Sequence, residues 1–428
     1  MADVRPFPAI RYNLDRVGDL SLVITQPYDK ITPEMRERYL KQHEFSFINL
    51  ILPQGENPYA ASANTCARWL NDGVLIQDVT PAFYILEEEF EIEGRRLHRK
   101  GFIGAIRVEE FEKGTVLPHE FTHSGPKADR LALLRTTQKD YEQIFLLYPD
   151  PKGEIDQLLN GQSNDNPDLS AIDEFGVSHR LWRVTDREWT EALHRAIQHQ
   201  VVLIADGHHR YETALNYRRE VEQKREPPSN AALRFKTSAF FKITDPGLII
   251  LPTHRLLKAI NISSEEALSR LEKLFAVKLV QDEEAKSALN RHKNEHAYVV
   301  YFGKGRSYLL VLRDPSAAKR LLHPDKSPEY KELDVALLYA LIIEGVFGIK
   351  PTEVEDKVLY ERYWNDTIAR IDKGEAACAL FLNPTRPEQV QKIAAKMERM
   401  PQKSTDFFPK LISGMVFMDV ADGRVLPE

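Results

Sequence analysis

The chain has 428 residues, 43% of them hydrophobic, which is enough to bury a substantial interior and more than one compact core normally uses. Its 58 lysines and arginines against 64 aspartates and glutamates leave a formal charge of −6, which argues against a nucleic-acid partner while leaving a local basic patch open. The two cysteines, Cys66 and Cys378, are far apart and have no CxxC spacing, which argues against a disulfide framework or a thiolate zinc site and for a reducing, cytoplasmic setting.

The opening MADVRPFPAIRYN has no apolar core of signal-peptide length, and no later run approaches about 20 uninterrupted apolar residues, so no membrane association is expected. Thr32-Pro33-Glu34 predicts a helix start, because a hydroxyl can cap free N–H groups and proline at the first helical position loses nothing. Residues 82–108 predict two or three strands with the first turn at Glu93-Gly94. A polar loop, VLPHEFTHSGPKADRLALLRTT, then leads into a helix carrying Leu131 and Leu134.

FLLYP at 145–149, HRLWRV at 179–184 and VVLIA at 201–205 read as strands, with the helix WTEALHRAIQ between the last two suggesting a crossover unit. FFKI and LIILPTH follow at 240–254. Further on come a helix capped by Ser263 or Ser264 and the hairpin-like AYVVYFGKGRSYLLVLR turning at Gly303 to Gly305. LDVALLYALIIEGVFG is apolar nearly all round and predicts a buried helix, since it is too short for a span and opens near Asp334. RPEQVQKIAAKMERM predicts a helix, and the loop PQKSTDFFPKLISG precedes a final strand. The fold class is therefore mixed α and β.

The densest chemistry lies in VVLIADGHHRYETALNYRRE. Asp206-Gly207 stands where a buried strand meets a helix whose apolar positions include Tyr211, Ala214 and Leu215. A helix start offers unpaired N–H groups and a partial positive charge, and Gly207 permits close backbone approach. His208, His209 and Arg210 add donors suited to phosphate oxygens. Asp206 would repel a phosphate unless a metal or a reacting hydroxyl lies between them; its other reading is a plain helix cap. Adjacent histidines seldom face one ion, so a His208-His209 metal site is the weaker alternative.

A second cluster, Pro118-His119-Glu120-Phe121-Thr122-His123 with Lys127, contains a plausible general base in Glu120 or else is a solvated loop. A third, around Lys403, Ser404, Thr405 and Lys410, could hold an anion or be an ordinary connection; Thr253-His254-Arg255 follows another strand. Phosphate-loop, GxGxxG, HExxH and GxSxG signatures are absent, so any phosphate chemistry must use another scaffold.

At ADGHHRYETAL a resemblance becomes specific. With QPYDKITPEMRERYL, VLPHEFTHSGPKADRLALLRTT, IFLLYPDP, HRLWRVTD and MPQKSTDFFPKL in order along nearly the whole chain, the sequence resembles the bacterial family known as domain of unknown function 1015. That family resembles the ParB/sulfiredoxin-like superfamily, and the DGHHR string is shared with archaeal free serine kinases, which phosphorylate L-serine using ADP or ATP. The resemblance implies a ParB/sulfiredoxin-like nucleotide-binding core with an insertion at 109–256, between an α+β lobe at 1–108 and another at 257–428. Those kinases have a general-base glutamate in a preceding PHE segment, which Pro118-His119-Glu120 resembles; about eighty residues separate it from DGHHR here, more than in the compact kinases.

The resemblance implies a cytoplasmic kinase for a small hydroxyl compound, L-serine above all, with Mg²⁺ and ATP or ADP. Glu120 would be the general base, and Asp206 would hold the metal or orient the acceptor hydroxyl. Gly207, His208, His209, Arg210, Lys403, Ser404 and Thr405 would bind nucleotide phosphates, and His119, Thr122, Lys127 and His254 the substrate. The alternatives are a ParB-like DNA-associated partition protein, which the negative charge disfavours, and a noncatalytic nucleotide sensor, which Glu120 disfavours.

Overall fold

The computed structural model of the protein describes residues 2–120, 124–162, 166–322 and 324–428. Backbone contacts divide it into two compact units. The first contains the described residues up to Pro118, those from Ser124 to Ile249, and Pro409–Glu428; the second contains His119, Glu120 and Ile250–Phe408. These bounds differ from the three-part division drawn from the sequence after residues 108 and 256, because the strand Phe417–Asp419 returns to pair with Ala9–Tyr12 in the first unit. Among the described residues no helix is long and apolar enough to cross a membrane.

The first unit is built on a large mixed sheet. Its order runs Val116–Leu117, Val202–Asp206, Ile144–Tyr148, Phe235–Lys242, Arg95–Arg107, Phe83–Ile92, Ser178–Val184 and Leu169–Ile172. Pairing is antiparallel except for Val202–Asp206 with Val116–Leu117 and Phe235–Lys242 with Ile144–Tyr148. The two long strands meet in a hairpin whose turn residues Glu93 and Gly94 both have positive φ, 51° and 73°, which suits the twist of a two-residue turn.

The strand–helix–strand run expected to be a crossover does leave and re-enter one sheet, but its strands, Ser178–Val184 and Val202–Asp206, have four others between them. The intervening helix Arg187–Gln198 buries Trp189, Leu193 and Ile197 in the core around Phe83, Phe102 and Ile204. Asp186 starts it by accepting from the Trp189 amide at 2.8 Å. A smaller sheet of the same unit runs Leu75–Gln77, Ala9–Tyr12, Phe417–Asp419, Lys139–Asp140. The helix Pro33–Gln42 begins as its sequence predicts, with Thr32 Oγ1 accepting from the Met35 amide.

The second unit centres on an antiparallel sheet in the order Phe275–Val280, Ser307–Leu312, Ala297–Tyr301, Cys378–Leu382, His254–Leu257, Val358–Glu361. The hairpin at 297–312 forms as expected, with Gly303 and Gly305 supplying φ of 109° and 73°. Helices Asp282–Arg291 and Trp364–Asp372 cover the sheet through Ala285, Leu289 and Ile371. The apolar run after Leu333 is buried, but only Asp334–Leu337 is α-helical; Leu338–Glu344 widens into a π-helix. Hydrophobic patterning dictates that it is buried and says nothing of hydrogen-bond step.

Candidate functional site

The turn that joins Val202–Asp206 to the helix His208–Glu222 is built for an unusual backbone. Val202, Leu203, Ile204 and Ala205 are buried, as befits a strand inside a sheet. The register with Ile144–Tyr148 slips after Ile204, so that Asp206 rather than Ala205 stands opposite Phe145. Gly207 follows with φ 94°, and a Cβ there would lie 2.8 Å from Ile144 Cγ2 and 3.1 Å from Arg210 Nε. Gly207 itself occupies the cap position, and no side chain caps the helix, so Asp206 is not the capping residue.

The Asp206 carboxylate instead meets cations. Arg210 Nη2 donates to Asp206 Oδ2 at 2.9 Å, and Lys410 Nζ lies 3.7 Å from Asp206 Oδ1. Burial raises the carboxyl pKa, but the charges of Lys410, Arg210, Lys30 and His208 outweigh it and hold the pKa well below the ordinary aspartate value. At neutral pH Asp206 is therefore an ionised acceptor and a poor proton store. Arg210 is buried and turned inward, its Nη1 donating to the Gln143 carbonyl. Burial lowers its pKa, yet Asp206, Glu142, Asp29 and Tyr28 raise it overall.

A second layer surrounds this pair. Glu142 Oε1 accepts from the Tyr28 amide and from Ser413 Oγ, each at 3.0 Å. Lys236 Nζ donates to Asp140 and to the Glu142 carbonyl, while Thr237 donates through its amide and its hydroxyl to Asp140 Oδ2, each at 2.7 Å. Burial lowers the Lys236 pKa against the pull of Asp140. The Arg130 guanidinium lies 4.4 Å from the centre of the Tyr28 ring.

Tyr28, Lys30, Glu142 and Lys236 were missed as functional candidates in the sequence. The signals available were Lys236 placed within the strand FKTSAFFK and the Tyr28–Lys30 turn after a proline. Lys127, expected at the substrate, pairs with Glu212 at 2.7 Å. Thr122, also expected there, lies outside the described residues. His208 is buried and His209 partly so.

Within the second unit three predicted residues come together. His119 Nε2 and Thr405 Oγ1 are 2.9 Å apart, and Thr405 Oγ1 donates to Glu120 Oε1 at 3.1 Å. Since the hydroxyl gives its proton to Glu120, it accepts from His119 Nε2–H. His119 is wholly buried and its carbonyl accepts from the Met400 amide at 2.8 Å, whereas Glu120 keeps some exposure. Thr405 and His119, expected as ligand contacts, are hydrogen-bonded to each other, and Thr405 also to the Glu120 carboxylate.

The remaining loop residues are also committed. Ser404 Oγ donates to the Pro401 carbonyl, and the Ser404 carbonyl accepts from Thr385 Oγ1. The Lys403 carbonyl accepts from buried Arg255 at 2.9 Å, and Arg362 pairs with Asp406 at 2.6 Å. His254 is buried, with ring centres 4.7 Å from Phe381 and 5.7 Å from Trp364. Burial, with Arg255 and Lys286 nearby, pushes its pKa down to about 3. It reads as a neutral core imidazole.

Among the described residues, no group of three or more His, Cys, Asp or Glu side chains converges as a metal site. Mg²⁺ needs fewer: one or two carboxylates beside substrate phosphates suffice, and the ionised Asp206 fits that pattern.

The family model described as "Protein of unknown function (DUF1015)" matches residues 4–336. A search of curated proteins finds no match. Among solved structures, a conserved hypothetical protein from Pyrococcus furiosus is 12% identical, covering 72% of this chain and 92% of its own, with a TM-score of 0.34. A free serine kinase in complex with AMP is 13% identical over 68% of this chain and 83% of its own, TM-score 0.34. SbnI with a C-terminal truncation, from Staphylococcus aureus, is 10% identical over 76% and 85%, TM-score 0.33.

Proposed function

The chain belongs to the DUF1015 family, and from that premise we propose that it is a nucleotide-dependent phosphotransferase acting on a small hydroxyl compound, with free L-serine as acceptor and ATP or ADP as donor. The observation that carries this reading is the Asp206 turn: an ionised carboxylate at an uncapped helix start, ringed by the charges of Lys410, Arg210, Lys30 and His208. Phosphoryl transfer depends on positioning and on neutralising phosphate charge, and these are the groups that supply both.

On this reading the turn is a ParB/sulfiredoxin-like phosphate cradle. Lys410, Lys30 and His208 neutralise the phosphates, and Arg210 keeps Asp206 aimed rather than meeting phosphate itself. Asp206 orients the acceptor hydroxyl or holds Mg²⁺, which would supply charge neutralisation between phosphate oxygens. Glu120, with one oxygen fixed by Thr405, accepts the hydroxyl proton.

The test is phosphorus NMR of the purified protein with Mg²⁺, ATP or ADP, and a panel of hydroxyl compounds including L-serine. A new phosphomonoester is expected with one acceptor. None from any acceptor, with intact nucleotide recovered, would sink the kinase reading.

A further inference from the structure

A row of ionised side chains crosses the first unit's sheet where apolar packing is expected. His179, Glu88 and Arg99 stand directly opposite one another on three neighbouring strands, and all three side chains are 0% exposed. Asp173 Oδ2 is 3.3 Å from His179 Nε2, His179 Nδ1 is 3.1 Å from Glu88 Oε1, and Glu88 Oε2 is 2.5 Å from Arg99 Nε. Burial alone would discharge His179, but its hydrogen bond to Asp173 and the nearby carboxylate of Glu88 hold its pKa above the ordinary value. The row thus alternates in sign from Asp173 to Arg99. Buried ion pairs of this kind do no better for stability than well-packed apolar residues, so stability does not account for the row.

Its far end suggests what does. The Arg99 guanidinium packs against the adjoining rings of Phe145 and Phe241, 4.6 Å from each centre, and Nη2 donates to the Pro409 carbonyl at 2.7 Å. Phe145 is the cross-strand neighbour of Asp206, and Pro409 precedes Lys410, whose ammonium faces Asp206. A few residues on, Ser413 and Thr25 exchange backbone hydrogen bonds of 2.8 and 3.0 Å. The segment carrying Lys410 is therefore pinned on both sides, upstream by a guanidinium and downstream by a backbone pair.

We propose that the Asp173–His179–Glu88–Arg99 row is a positioning device that holds the Pro409 carbonyl and so fixes the Lys410 ammonium against Asp206. It rests on the functional reading above only in treating the Asp206 turn as the working centre. Arg99 is a positioning residue, remote from any reacting atom.

The test is competitive acylation of lysines by a water-soluble succinimidyl ester, read peptide by peptide by mass spectrometry. Lys410 and Lys236 are both buried, whereas Lys152 is 80% exposed and sets the reagent scale. Glu88→Gln/Arg99→Met removes the central pair without leaving one charge alone, and Arg99→Lys keeps the charge but loses the fork that reaches Pro409. In either variant, Lys410 labelling is expected to rise about tenfold with Lys236 unchanged, the signature of local release rather than global unfolding. Lys410 as slow as wild type in a folded Arg99→Lys protein, or Lys410 and Lys236 rising together, would overturn the proposal. Calorimetry of the wild-type protein with ADP and ATP is run beside it. Absence of binding there counts against the nucleotide reading, while the labelling ratio still decides the role of the row.

Discussion

Around Asp206 cations from three separate stretches of chain converge on one carboxylate, whereas around Glu120 a threonine hydroxyl and a buried histidine fix one oxygen of another. The first arrangement is electrostatic and sits on a regular strand, a glycine and a helix. The second is a hydrogen-bonded relay held by loop residues 400–406. Charge stabilisation tolerates small displacements because Coulomb energy falls off slowly with distance, whereas a proton acceptor must be aimed to within hydrogen-bond geometry. The two carboxylates thus sit in different surroundings, one among cations and the other held by hydrogen bonds.

That contrast can be broken most severely at Glu120. Glu120→Gln is expected to lower turnover about 10²- to 10⁴-fold, the usual worth of a general base, with ADP affinity in calorimetry largely retained. Equal loss of both would erase the distinction. Acid separates the two units next. His254 has a folded pKa of about 3 against an ordinary 6.5, so the unfolded state takes up the proton first, and stability falls as pH drops through that window. The full effect is roughly 5 kcal/mol, and His254→Phe should flatten this part of a denaturation-versus-pH series. Asp206 has the opposite environment but the same acid sensitivity at lower pH. Its folded pKa lies below the unfolded one, so its contribution is present above about pH 4 and is lost as pH falls toward the folded value. The second unit should therefore weaken first on acidification.

Gly207→Ala ranks after these. With φ at 94° and Ile144 in the way, it should destabilise the first unit by about 2 kcal/mol in urea unfolding and weaken ADP binding as well. Thr405→Val should reduce turnover about tenfold, since it leaves His119 and Glu120 without their shared partner, and Thr405→Ser should recover most of it. The smallest effect belongs to Lys127→Ala. Its pair with Glu212 is partly exposed and worth at most about 1 kcal/mol, so thermal unfolding should shift little and ADP affinity not at all.

Local rules account for what could be read from the sequence. Thr32 and Ser263 cap their helices because hydroxyls accept from first-turn amides, and Asp206-Gly207 ends its strand where apolar residues give way to a glycine. What escaped is long-range. Nothing near Asp206 in the chain announces Lys30 or Lys410, because a register between distant strands brings them there. Thr405 and His119 read as ligand contacts because their chemistry permits it; their pairing with each other and with Glu120 depends on residues some 285 apart in the chain. The crossover was legible as a strand–helix–strand run, but which strands separate its ends depends on hairpins formed elsewhere.

The strand Phe417–Asp419 sits between Ala9–Tyr12 and Lys139–Asp140, and the segment leading to it brings Lys410 to Asp206. A ribosome makes residues 250–408 before it reaches these. During synthesis the second unit therefore has its whole sheet available while the first still lacks an inner strand of its smaller one, reversing the usual amino-to-carboxyl order in which domains fold. A nascent chain halted near residue 400 carries the Asp206 turn without the lysine that faces it, so charge balance at this centre is itself a mark of completed translation through residue 410.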